Sequence, residues 1–140
     1  MRLITSLFLL VICFGCSNTK PITTSSNELN GNWVPVSEEI GGKTLPAAAF
    51  DKQKLVINDT NYVFTAESVD KGVVKYAGDK MDIYGREGVN KGKHFTAIYK
   101  YEAGQLTICY NLLANGYPEA FDSKGHPAYF LCVFKKEMNK

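Results

Sequence analysis

At 140 residues the chain has room for one folded domain and no more. Sixteen Lys and Arg against 14 Asp and Glu leave a formal net charge of +2, with the two signs interleaved along the chain. So small and even a balance excludes nucleic acid as a partner class, and the lysines near the C-terminus, Lys135, Lys136 and Lys140, read as a solvated end.

The chain opens with Arg2, an uninterrupted apolar run from Leu7 to Phe14, then Gly15, Cys16 and a polar stretch beginning at Ser17. An apolar core of about a dozen residues falls short of the ~20 that cross a bilayer, so a cleaved secretory signal is the better reading than a spanning helix. A small residue followed directly by cysteine resembles the bacterial lipoprotein signal. That resemblance implies that residues 1–15 are removed, taking Cys13 with them. The Cys16 thiol then becomes the lipidated N-terminus, carrying acyl chains such as palmitate. Each buried methylene contributes ~0.8 kcal/mol, so two or three chains moor a protein to a membrane without a spanning helix. The expected location is the bacterial cell envelope, on its periplasmic or surface face. Residues 16–28 are small and polar with no hydrophobic period, which predicts a flexible linker.

From Gly31 onward, apolar residues alternate instead of recurring every three or four, which is the period of strands. Strands are predicted over 33–40, 54–58, 62–67, 72–77, 80–85, 93–101, 105–111 and 129–136. Most joints carry turn residues, as in Asp59-Thr60-Asn61, Gly78-Asp79 and Ala103-Gly104. Two stretches depart from alternation. Residues 45–51 predict a short helical turn after Pro46. The segment 112–127, with Gly116, Pro118, Gly125 and Pro127, predicts a long loop, functional or mobile, holding one short turn around 119–122.

Eight antiparallel strands admit a sandwich or a closed barrel. Closure removes exposed edges, and no long crossover precedes Leu112. The prediction is therefore an all-β, eight-stranded antiparallel up-and-down barrel over 29–137. Its interior is either filled by side chains or holds one small ligand. Placing Cys109 opposite Cys132 sets Ile108 against Val133 and Tyr110 against Leu131, one apolar face. A disulfide fits that register and an exported protein; two buried free thiols fit the same residues.

Several motifs together carry a family resemblance. Leu29-Asn-Gly-Asn-Trp33 gives Gly-x-Trp at the mouth of the first strand, and Gly42-Lys43-Thr44-Leu45-Pro46 a Gly-Lys-x-Leu-Pro turn. Gly92-Lys93 with Ile98-Tyr99, Glu102 to Gly104 with Leu106 to Tyr110, Pro118 to Phe121, and the apolar-to-basic ending Phe130 to Lys136 follow in order. This pattern resembles bacterial lipocalin-like domains of the calycin superfamily, from Leu29 to Glu137. The resemblance implies structural roles for Gly31 and Trp33, the indole plugging the closed end of the barrel. It also implies a basic side chain from the last strand lying across that indole; in the register above this is Lys135.

No catalytic constellation emerges. Gly42-Lys43-Thr44 lacks the glycine five places earlier that a phosphate loop needs (Ser37 stands there), and Pro46 stops the helix that should follow. Gly92-Lys93 has Glu87 in the equivalent place. His94 and His126 show no zinc-type spacing, so no metal or cofactor is implied. Cys109 lies in an apolar strand where thiols are inert. Glu38 and Glu39 point to opposite faces of a strand and form no dyad. What remains is a tyrosine-rich interior suited to an amphipathic molecule. Alternation assigns Met81, Ile83, Phe95, Tyr99, Tyr101, Ile108 and Tyr110 to the ligand-binding face, with Ala97 and Leu106 beside them. The expected function is non-covalent binding of a small hydrophobic or amphipathic compound, with the membrane as the other partner through the lipid anchor. The competing reading is a solid barrel whose 112–127 loop contacts another envelope protein.

Overall fold

The computed structural model describes residues 26–138. The expected signal, Cys16 and nearly all of the expected linker lie outside the described residues. The linker's last residues, Ser26 onward, form a 3-10 turn with Leu29 (Ser26–Leu29). No helix among the described residues is long and apolar enough to cross a membrane.

The alternating pattern becomes nine strands. These are β1 (Gly31–Ile40), β2 (Lys43–Thr44), β3 (Lys54–Asn58), β4 (Asn61–Thr65), β5 (Val69–Ala77), β6 (Lys80–Glu87), β7 (His94–Glu102), β8 (Gln105–Asn111) and β9 (Tyr129–Lys136). Strands β3 to β9 pair in sequence order, and β1 pairs with both β3 and β9. Eight strands thus close an antiparallel up-and-down barrel, while β2 only extends the far end of β1. Closure leaves no free edge in the ring. After Pro46 the expected helical turn is a 3-10 turn, Ala47–Ala49. No helical turn forms around 119–122; that part of the chain is irregular.

The two ends differ. At one end β3–β4, β5–β6 and β7–β8 are joined by two-residue turns, and the 3-10 turn Ser26–Leu29 packs Leu29 into the core. Trp33 is fully buried there, its Nε1–H donating to Leu29 O at 2.8 Å and its ring meeting Tyr101 edge-on at 5.7 Å. The longer segments 41–53, 66–68, 88–93 and 112–128 all gather at the other end.

A bulge in β1 sets what faces inward. Pro35 has no N–H to give to a ladder, and pairing with β9 slips between Pro35 and Ser37. Val36 is the extra residue, so the inward phase that runs through Trp33 and Pro35 resumes at Glu38.

The register of β8 on β9 differs by one residue from the expected one. Ile108 faces Cys132, Cys109 faces Leu131 and Tyr110 faces Phe130. Cys132 and Phe134 therefore point inward, while Cys109 points outward beneath the 112–128 segment. Both thiols are free and on opposite sides of the wall. The same shift corrects the cation over the indole: it is Lys136, with Nζ 5.2 Å from the Trp33 ring, and not Lys135. Lys136 reaches this position past Gly31, whose φ of +139° and missing Cβ leave room; a Cβ there would stand 2.6 Å from Lys136 Cε.

Candidate functional site: an interior cavity

Above the Trp33 plug the barrel is hollow, with a cavity of about 550 Å³. Its walls follow from strand alternation. Leu55 and Ile57 come from β3, Tyr62 and Phe64 from β4, and Asp70, Val74 and Tyr76 from β5. Met81, Ile83, Phe95, Ile108, Tyr110, Phe130 and Phe134 complete the ring from β6 to β9, and Asn90, Lys93 and Leu112 stand at the rim. Successive rungs pair these side chains across strands, as in Leu55 with Phe64, Val74 with Ile83 and Tyr110 with Phe130.

Of the residues assigned from sequence, Met81, Ile83, Phe95, Ile108 and Tyr110 line this space. Tyr99 and Tyr101 face inward but lie toward the plugged end. Tyr99 donates its hydroxyl to Gly78 O at 3.0 Å, in the β5–β6 turn, and Tyr101 packs on Trp33. They support the floor and do not line the cavity; Ala97 and Leu106 are likewise core residues. Alternation gave their face correctly but says nothing of height along the barrel axis. Sequence reasoning missed the β3–β5 wall, although the same alternation in Leu55/Ile57, Tyr62/Phe64 and Val74/Tyr76 carried the signal. Tyr62 depends on a backbone device as well. Its ring lies against Gly72, where a Cβ would come within 2.6 Å of it.

The polar groups of the interior are few and almost all acidic. The Tyr76 hydroxyl is buried with no hydrogen-bond partner among the described residues. Burial, then the neighbouring Tyr99, pushes its pKa up to about 12. Burial holds the Tyr110 phenol well above its ordinary range, and the acidic groups of Cys132, Tyr62, Glu38 and Tyr76 add to the effect. Glu38, brought inside by the bulge, is 1% exposed. Its Oε1 accepts from Cys132 Sγ at 3.8 Å. Burial raises this carboxyl above its usual value, with hydrogen bonds from Cys132 and Gln53 opposing. Asp70, also buried, accepts the Asn90 N–H on Oδ1 at 2.9 Å and so fixes the 88–93 segment at the rim. The single cation among the lining residues is Lys93, exposed at the rim and donating to Asn90 Oδ1 at 3.1 Å.

The 112–128 segment folds back over the outer wall. Gly116 O accepts from Thr96 Oγ1, and Tyr117 donates its hydroxyl to Asp82 Oδ2 at 2.6 Å. That bond, more than the His94 ring at 2.7 Å from Oδ1, holds the Asp82 carboxyl below its usual range. Further on, Asp122 O accepts from Cys109 Sγ at 3.9 Å. Ser123, fully buried, donates to Glu39 Oε1 and accepts the Gly42 N–H at 2.9 Å. Burial pushes the Cys109 thiol up to about 11, which leaves it a poor nucleophile. Asp82, His94 and Tyr117 form a surface brace on the outside of the barrel, separated from the cavity by the wall itself. Compared with protein-family models, with curated proteins and with solved structures, the chain matches none of them.

Proposed function

We propose that the protein is a lipid-anchored, lipocalin-like binding protein of the bacterial cell envelope that holds one small hydrophobic or amphipathic molecule. The observation that carries this reading is the cavity. Its volume lies inside the ~300–1,000 Å³ typical of small-molecule sites, and its lining is apolar and aromatic with a few polar groups. Apolar burial at ~25 cal/mol per Å² would supply affinity, and phenol hydroxyls would supply orientation. The Gly15-Cys16 junction supports the anchor, and the ordered motifs from Leu29 to Glu137 support the family.

A solid barrel acting through its 112–128 segment has less in its favour. That segment spends its buried side chains and several hydrogen bonds on its own barrel.

Native mass spectrometry of the protein purified from its own host tests ligand binding directly. The expected result is an adduct of a few hundred daltons that is lost on denaturation; a protein that is bare across preparations, and that takes up no added hydrophobic probe, overturns the reading. For the anchor, Cys16→Ala should move the protein from the membrane fraction to the soluble one. Unchanged membrane association would refute lipidation at that thiol.

A further inference from the structure

The two ends of the barrel expose different chemistry. Seven large hydrophobic side chains are exposed among the described residues, and five of them, Ile40, Val69, Val89, Leu112 and Leu113, sit at the open end. Val36, the bulge residue on the wall, and Met138, beyond β9, lie elsewhere. The exposed turns of the plugged end carry Asp59, Thr60, Gly78 and Asp79 instead. Among the five, Val89 and Leu113 are the most open, at 65% and 68%. They fall into two groups. The Gly88 backbone packs against Val69 O, which sets Val89 beside Val69. Leu112 donates its N–H to Ala128 O at 3.0 Å, two residues before Phe130, the β9 partner of Ile40. Leu112 lines the cavity, as do Asn90 and Lys93 from the Val89 segment, so the two groups flank one entrance. Single exposed apolar residues are ordinary on a monomer; a set gathered around the entrance to an apolar cavity marks a surface that meets something apolar.

Basic side chains indicate what that surface meets. Arg86, Lys91 and Lys93 bracket Val89, and all three are exposed. Glu87, the acid in that stretch, is held by Lys71 at 2.9 Å. Aliphatic groups set among lysine and arginine match the boundary of a bilayer with anionic head groups, where apolar side chains enter and cations meet phosphate. A hydrophobic ligand is scarce in water and abundant in lipid, so its entrance gains most by touching a bilayer. The chain joins the barrel at the plugged end, through Ser26–Leu29, which leaves the mouth unobstructed. Resting on the binding function proposed above, we infer that the mouth of the barrel is a docking surface for a bilayer with anionic head groups. Val89 and Leu113 enter the head-group layer, Arg86, Lys91 and Lys93 meet phosphates, and the ligand passes between bilayer and cavity without crossing water.

The test uses the full chain with Cys13→Ala and Cys16→Ala, which leaves the buried Cys109 and Cys132 as its native thiols. A polarity-sensitive label is attached through Val89→Cys or Leu113→Cys on the mouth, or through Asp79→Cys in a plugged-end turn. Each protein is mixed with phosphatidylcholine vesicles, with or without phosphatidylglycerol. On the anionic vesicles both mouth labels should shift to the blue and be quenched by nitroxide-bearing lipid, while the label at position 79 stays in water. Because each label reports its own surroundings, attachment through the apolar run Leu7 to Phe14 does not imitate this result. Lys91→Gln combined with Lys93→Gln should raise the vesicle concentration needed for the shift at position 89 about tenfold or more, and about 1 M salt should act in the same direction. Mouth labels that stay unshifted on both vesicle types overturn the inference and turn attention to a protein partner for the rim. An equal shift at position 79 overturns it as well. A hydrophobic fluorophore loaded into the cavity should leave for vesicles at a rate that rises with vesicle concentration; a rate independent of it overturns direct passage. Failure to load any fluorophore defeats the binding function, while the label shifts still decide docking.

Discussion

At residue scale, the plugged end depends on a three-way fit between Gly31, Lys136 and Trp33. Gly31 holds a positive φ and gives the Lys136 stem its path, so Gly31→Ala strains the backbone and pushes the ammonium off the indole face. The expected cost is about 1–3 kcal/mol by urea denaturation. Lys136→Met, which loses the cation–π contact and an exposed hydrogen bond from Nζ to Glu28 O at 3.2 Å, should cost no more than about 1 kcal/mol. Equal losses in the two variants would show that the glycine's conformation is not what matters. Glu38 makes a separate prediction. Its folded pKa is raised, so the folded state holds the proton more tightly than the unfolded chain. The resulting stability is full below the ordinary value of 4.5 and is lost as pH rises through the folded value. Cys132 on β9, Gln53 before β3 and Tyr110 on β8 face this carboxyl, and none of them is a cation. Glu38→Gln should therefore remove a decline in unfolding midpoint that the parent protein shows between pH 4.5 and neutrality. A parent profile that is flat or rising over that interval, unchanged by the substitution, would refute it.

At the scale of elements, alternation made most strands legible and failed where both faces of the sheet are covered. Tyr129 to Phe134 are six consecutive apolar residues, so β9 offers no phase to read. Its inward face packs in the barrel core, and the outward Cys109 next to it is roofed by the 112–128 segment. With β9 covered on both faces, alternation alone sets Cys109 opposite Cys132 and Lys135 over the indole, one residue away from the observed pairing and from Lys136. The β1 bulge was illegible for another reason. Pro35 marks a possible interruption, but one extra residue reverses which of two adjacent glutamates enters the core, and only pairing with β9 decides it. The roof can be tested through its fastening. Ser123→Ala leaves the half-buried Glu39 carboxylate and the exposed Gly42 N–H without their partner, a loss of about 1–2 kcal/mol for two hydrogen bonds, one of them to an acidic group. Opening of the segment should then speed labelling of Cys109 by a thiol reagent roughly tenfold or more, while Cys132, inside the barrel, stays protected. Equal acceleration at both thiols would indicate global unfolding in place of a local release.

At the scale of the whole molecule, the hollow interior reflects a conflict between stability and binding. The motifs of the plugged end and the run of hairpins made a closed barrel legible from sequence. Whether that barrel is filled was not, because interior volume depends on side-chain heights around the whole ring and not on any single pattern. Protein interiors are close-packed, and space left open forgoes dispersion contacts. A larger apolar side chain placed into real space should therefore stabilise the fold, typically by about 0.5–2 kcal/mol, whereas the same change in a packed core costs about 1–3 kcal/mol. Val74 on β5 is the suitable position, since it lines the cavity opposite Ile83 and belongs to the core cluster. Val74→Phe should raise the thermal midpoint of the empty protein and abolish uptake of a hydrophobic fluorophore. A lowered midpoint with uptake retained would mean that the site lies elsewhere. The opposite signs expected for stability and binding separate a cavity kept open for a ligand from one that is merely poor packing.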